Sequence, residues 1–475
     1  MTRVDGWLTS SMRVHYLAKF ILLCSFAFSP SWANPQVCGE NAEKAPELEN
    51  AGDITAAIWC YGLNNQWAKV TGLQKRAVPA AFAKVGAGNY ALIISNMARA
   101  HLELRNLAAG RQVLETGMRQ LVKTPQVVDC AYNVVGLFRD ETMRFAERQR
   151  WHALLMQAME QQRPAFQLAD IFTNNVYFGV YQGIREKKTR AAFAMAQDAV
   201  TQHDEDMLKH WGFMRDMVQI QHLALSHDVN PTAAKRRFRM LFIVVPESKL
   251  SNSHPVYGNV DTRLAEADLQ ELLLNFRLFA SAFQSLTGIG WDIKMMRHSG
   301  AVRKSTYVSD PPRSVMHPVM DSIEPAFSPA IQREIANSDG VTLVWAGTKQ
   351  PPGHLITNGS GTEYGFPIEG QVLHRLLVIS DSNKRFLDGN HANSALFFFH
   401  EIFHVLEWAY YKSPFPSAEH SYARRSSWPA DYAGNTEWDF YRETITKRFM
   451  PEDQMNRFEW RSNHGGFHNR KVRGE

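Results

Sequence analysis

The sequence predicts an α+β chain, in which an all-helical N-terminal region is followed by a region where strands and helices mix. Three observations predict it. From residue 54 to residue 225, successive segments place apolar residues three and four apart, the spacing of one helix face. From Phe242 that spacing gives way to short β-branched and apolar runs. At 475 residues, 45% hydrophobic and 21% charged, the chain has ordinary globular composition and the length for about two or three domains.

Residues 1–33 read as an export signal. Arg13 and Lys19 supply positive charge, Phe20–Phe28 is the apolar stretch, and Ser31-Trp-Ala33 puts small residues before a cut after Ala33. Met12 is an alternative start. The apolar stretch is too short for a hydrocarbon core of about 30 Å. The expected location is therefore secreted or periplasmic, with no membrane span after cleavage. Cys38, Cys60 and Cys130 remain in the mature chain. Export permits one oxidised pair, and Cys38–Cys60 is the local choice. The absence of a CxxC argues against a redox motif or a cysteine zinc site. Lys and Arg number 52 against 47 Asp and Glu, interspersed and without a long basic block, so no nucleic-acid partner is expected.

Residues 34–238 form the helical region. Its segments are Ile54–Trp67, Ala77–Val85, Tyr90–Leu104, Ala109–Val122, Asp140–Gln161, Phe166–Gln182, Thr189–Gln202 and Asp206–Leu225, broken at Gly, Pro and Asn. Asn96–Leu121 and Asn174–Val200 each read as a helix, a tight turn and a second helix, with small residues where the helices touch. They resemble tetratricopeptide-type repeats in style, although a regular period of about 34 residues does not fit. Such a region offers a surface for a protein partner; the plainer alternative is an irregular α-bundle.

Residues 239–475 change texture. Met240–Ser248, Trp291–His298, Gly340–Gly347 and Val372–Ser380 read as strands, and Ala265–Leu286 as an amphipathic helix stopped by Gly288. Residues 299–337 are proline-rich and read as loop, and Lys349–Gly370 is rich in glycine and proline. In it, Asn358-Gly-Ser360 fits a glycosylation acceptor.

The chemistry-bearing stretch is His400-Glu401-Ile-Phe-His404, an HExxH in an apolar run without proline or glycine. Asn393 or Ser394 can cap its helix, and Lys412 with Pro414 can mark its end. Histidines four apart share a helix face, and two neutral imidazoles suit Zn²⁺. Glu401 can serve a water as general base. The plainer alternative is an apolar helix with two packed histidines. A third ligand is needed. Glu407 and Tyr410 stand where metzincins carry glycine and histidine, which excludes that class. The acid must then come from Asn435–Arg448, where Trp438, Tyr441 and Ile445 make one face and Glu437, Asp439 and Glu443 are the acids. Glu437 is the more usual ligand type. Asp439 is followed one turn later by Glu443, which can hold the back nitrogen of a metal histidine. One of Glu437 and Asp439 is the metal ligand, and the residues leave the choice open.

An HExxH followed by an acidic helix is similar to the gluzincin metallopeptidases. Tyr432–Glu443 resembles the metal helix of the anthrax lethal-factor type, and the resemblance covers residues 396–445. It implies a zincin-like catalytic domain, with a small twisted sheet packed on the HExxH helix and an edge strand able to bind extended substrate. It implies one catalytic zinc ion and a peptide or protein substrate. By this match Asp439 takes the ligand position, where the family has glutamate, Glu443 supports a histidine, and Tyr432 stabilises the oxyanion. Tyr441 is the second choice for that last role, ahead of His420, His464 and His468; the two last lie in a tail that reads as solvated. Two other functions fit the same residues. One is a helical interaction protein with an inactive or structural zincin domain. The other is a zinc amidase acting on a cell-envelope substrate.

Overall fold

The computed structural model describes residues 38, 44–77, 81–132, 142–162, 166–201, 213–254, 258–310, 313–346, 360–381, 394–406 and 436–446. The export signal, Asn358 and Gly359 of the glycosylation acceptor, and the Lys412 and Pro414 helix end lie outside the described residues. The chain mixes α and β and divides into two compact units, Met1–Phe172 and Thr173–Glu475, the division falling inside the helix Phe166–Arg185.

In the first unit the described elements are helices, chiefly Ile54–Leu63, Ala81–Glu103, Leu107–Leu121 and Phe145–Gln161. Their ends follow from the backbone. The expected helix Ile54–Trp67 stops at Leu63 because Asn65 turns left-handed, with φ 55°. There Gln66 N–H reaches Tyr61 O at 2.9 Å and Asn65 N–H reaches Gly62 O at 3.1 Å, so the last carbonyls find donors. Arg105 repeats the turn at φ 60°, with Asn106 N–H on His101 O at 2.8 Å. In the second unit Lys187 does the same at φ 58°, with Lys188 N–H on Gly183 O at 2.7 Å. Both later turns fall where the sequence placed them. The segments expected as Ala77–Val85 and Tyr90–Leu104 appear as two helical halves of Ala81–Glu103, separated where expected by the non-helical Gly86 with φ 76°.

A Cβ placed on Gly117 would stand 2.5 Å from Ile94 Cγ2 and 3.1 Å from Ile94 Cβ, so the helices Ala81–Glu103 and Leu107–Leu121 touch through a hydrogen atom here. Gly117→Ala gains about 1 kcal/mol of helix propensity, but overpacking costs about 1–3 kcal/mol. Because the clash includes the root of the Ile94 side chain, the overpacking term wins. A net loss of about 1 kcal/mol is expected, read as a lower urea midpoint at unchanged slope. Cys38 is bonded to Cys60, the pair expected from locality, with Cα atoms 5.3 Å apart. Cys130 is a buried thiol whose pKa is pushed up by burial, with the Asp129 charge adding to it.

The second unit carries the strands β1 (Arg236–Val245), β2 (Glu247–His254), β3 (Gly258–Arg263), β4 (Ile289–Arg297), β5 (Ala301–Val302), β6 (Ser305–Asp310), β7 (Arg313–Pro318), β8 (Gly340–Trp345), β9 (Ser360–Ile368) and β10 (Gln371–Asp381). Five of them form one sheet in the order β4-β1-β8-β10-β9. β1 runs parallel to β4 and β8, β10 runs parallel to β8, and β9 alone is antiparallel, on β10. β8 is central and buried along its whole length, which explains its unbroken apolar run.

One face of the sheet presents Leu241, Ile243, Leu343, Trp345, Leu377 and Phe366 to Ile331 and Ile335 of the helix Pro329–Asn337. On the other face Phe242 meets Phe276 of the helix Glu266–Thr287, with ring centroids 4.9 Å apart. That helix ends where expected, with Gly288 left-handed at φ 73°.

Several elements depart from the sequence expectation: β3 has no counterpart among the expected strands, and β5, β6 and β7 lie in the segment 299–337 read as loop. The helix Pro329–Asn337 occupies part of the segment taken as loop; Ser328 Oγ caps it by accepting from Ile331 N–H at 3.3 Å, and proline opens it. β9 lies in the glycine- and proline-rich segment, where Pro367 is tolerated because an edge strand does not need every N–H. No helix of the described residues is long and apolar enough to cross a membrane.

Candidate metal centre

The HExxH lies on the helix Ala395–Leu406. Of the two capping alternatives the structure uses Ser394, whose Oγ accepts from Phe397 N–H at 3.0 Å. The phenylalanines before and within the motif set the helix by packing in three directions. Phe398 meets Phe276 at 5.0 Å, and Phe399 meets Phe279 at 4.8 Å and Trp438 at 5.0 Å. Phe403 meets Phe440 at 5.5 Å and Tyr441 at 4.8 Å. The same helix packs against β9. The edge strand is held from the face that carries Ile331: Tyr364 Oη lies 2.8 Å from Glu324 Oε2 and 3.0 Å from Asp321 Oδ1. Burial first, and then these two carboxylates, push the Tyr364 phenol well above its ordinary pKa.

The acidic segment folds as the helix Glu437–Ile445. Thr436 starts it twice over: its Oγ1 accepts from Asp439 N–H at 3.2 Å and donates to Asp216 Oδ1 at 2.9 Å. Trp438, Tyr441 and Ile445 are buried, the apolar face expected from their spacing.

His400 is half-buried, and its Nδ1 lies 2.7 Å from Tyr441 Oη. Glu401, the next residue, is 7% exposed. Tyr441, the second choice for the oxyanion role, thus has its hydroxyl in hydrogen-bond contact with the imidazole at Nδ1. Asp439 is 3% exposed. Arg442 donates to its Oδ1 at 3.3 Å, and Arg215 Nη1 stands 3.6 Å from Oδ2, an ionic contact longer than a hydrogen bond. Glu443 is half-buried on the same helix.

The structure thus brings His400, Glu401 and the acidic helix together. Tyr432, Glu407, Tyr410, His420, His464 and His468 lie outside the described residues, and so do the side chains of His404 and Glu437. Among the described residues no group of three His, Cys, Asp or Glu side chains comes together. The residue types are those that zinc takes: His400 and His404 stand four residues apart on one described helix.

Two contacts were not read from the sequence. Arg215, beside the buried Asp216, is a buried charge on the helix Phe213–Val229, which also buries Met217, Val218 and Ile220, and a charged pair within that apolar pattern was the available signal. The pairing of Tyr441 with His400 had none, because tyrosine on an apolar helix face reads as packing. Compared with protein-family models, with curated proteins and with solved structures, the chain matches none.

Proposed function

We propose that this chain is an exported zinc-dependent metallopeptidase with a zincin-like catalytic domain, hydrolysing peptide bonds in a peptide or protein substrate. The observation that carries the reading is the 2.7 Å contact of His400 Nδ1 with Tyr441 Oη, which joins the two halves of the motif, the HExxH helix and the acidic helix. His400, His404 and one of Glu437 and Asp439 would hold the metal. When bound, zinc supplies Lewis-acid chemistry, polarising the scissile carbonyl and making water a competent nucleophile. Glu401 takes the proton of the attacking water and hands it to the leaving amine. Tyr432 donates to the oxygen that gains charge. Among the described residues β9 is paired on one side only, by β10; an extended peptide could add as a strand on its other edge, and the HExxH helix packs against that strand.

Export is supported by the Cys38–Cys60 bond, since such bonds persist in oxidising compartments. The turns at Asn65, Arg105 and Lys187, alike in φ and in hydrogen bonding, support a repeat-like helical region with a surface for a protein partner.

The purified chain is expected to carry one zinc ion, measured by metal analysis of folded, unchelated protein; a sample without zinc removes the site. Glu437→Ala and Asp439→Ala, each scored by zinc content, identify the third ligand. If neither lowers it, the acidic helix is not part of the metal site.

A further inference from the structure

We infer that Tyr441 is a positioning residue whose phenol oxygen accepts a hydrogen bond from His400 Nδ1–H, locking the imidazole in the tautomer that leaves Nε2 open to a metal. The inference rests on the zinc reading above, and its test separates the two. A neutral imidazole has one N–H; the nitrogen that donates leaves the other with its lone pair. The 2.7 Å contact fixes which nitrogen is engaged, and the ligand role of His400 fixes the direction, because a ring protonated at Nε2 has no pair to offer there.

The surroundings make the phenol a rigid partner. Tyr441 is fully buried. Its ring lies against Phe403 at 4.8 Å and Phe440 at 5.6 Å. The helix that carries it is pinned at its start by the Thr436 bonds to Asp439 and Asp216. The hydroxyl thus meets a ring that is itself placed by the packing of Phe398 and Phe399. Metal histidines commonly give this back nitrogen to a carboxylate, which raises ligand basicity. Here the phenol of Tyr441 is in contact with it.

The test uses the full chain with ¹⁵N-labelled histidine, in chelator, at a pH where histidine is neutral. The His400 signal is identified by its loss in His400→Gln. The expected result is the Nδ1–H tautomer in the parent chain and a shift toward the Nε2–H tautomer in Tyr441→Phe, which keeps the ring and its packing. Zinc affinity of Tyr441→Phe, by competition with a chelator, is expected to fall about 10–100-fold, while the unfolding midpoint of the metal-free chain falls only by the small step of one lost hydrogen bond. An Nε2–H His400 in the parent, or a tautomer unchanged by Tyr441→Phe, overturns the inference. The parent measurement needs no variant and no metal. A parent chain that binds no zinc ends the metallopeptidase reading, and the tautomer still decides the role of Tyr441.

Discussion

Glu401→Gln is expected to lower peptide hydrolysis by about 10²–10⁴-fold, the usual worth of a general base, while the zinc content stays that of the parent. The amide keeps the shape of the carboxylate, so the variant fits the same 7%-exposed position. What it lacks is a lone-pair oxygen basic enough to take a proton from water. The loss corresponds to about 3–5 kcal/mol of barrier, more than repacking beside a half-buried histidine would cause through geometry alone. The measurement is a digest of a proteome-derived peptide library by the parent and by Glu401→Gln, side by side and at matched zinc. Peptides cut by the parent and spared by the variant also reveal the substrate preference. Equal cleavage by both would remove Glu401 from the chemistry and, with it, the peptidase reading. Loss of zinc together with activity would instead make Glu401 part of the metal's support.

The legible parts of this chain are those where a local pattern decides the structure. β8, Met240–Val245 of β1 and Leu376–Ile379 of β10 are largely apolar runs buried on both faces, and such runs announce themselves. Gly288 ends its helix because the left-handed position there favours glycine, again a one-residue signal. The HExxH spacing is likewise local. The unread parts depend on neighbours. β9 carries glycine and proline, and only its place at the sheet edge beside β10 makes it a strand. Glu437 and Asp439 stood level in the sequence because two residues of spacing on a helix turn the side chain to nearly the opposite side, and which side faces the histidines depends on partners far along the chain. Tyr441 on His400 and Arg215 near Asp439 are those partners.

Arg215→Ala is expected to destabilise the chain by about 3 kcal/mol, the lower end for breaking a buried ion pair by removing one partner. The Arg215 and Asp439 side chains are 8% and 4% exposed, so the orphaned carboxylate has little water to turn to. Arg442, at 37% exposure, still donates to Asp439 Oδ1 and offsets part of the cost, which sets the estimate at the lower end. For the same reason Arg442→Ala should cost about 1 kcal/mol or less. Asp439→Leu alone strands Arg215, whereas Arg215→Met with Asp439→Leu removes both charges and should cost clearly less than the sum of the single changes. These values come from urea unfolding in chelator, and an Arg215→Ala loss below about 1 kcal/mol would mean the 3.6 Å contact contributes little. The chelator also separates anchor from ligand. An anchoring Asp439 stabilises the chain with or without zinc. A ligating Asp439 adds a second loss that appears only with zinc present, because a bound metal stabilises the folded state by mass action. Unfolding Asp439→Leu in chelator and again in excess zinc therefore measures both roles of one residue.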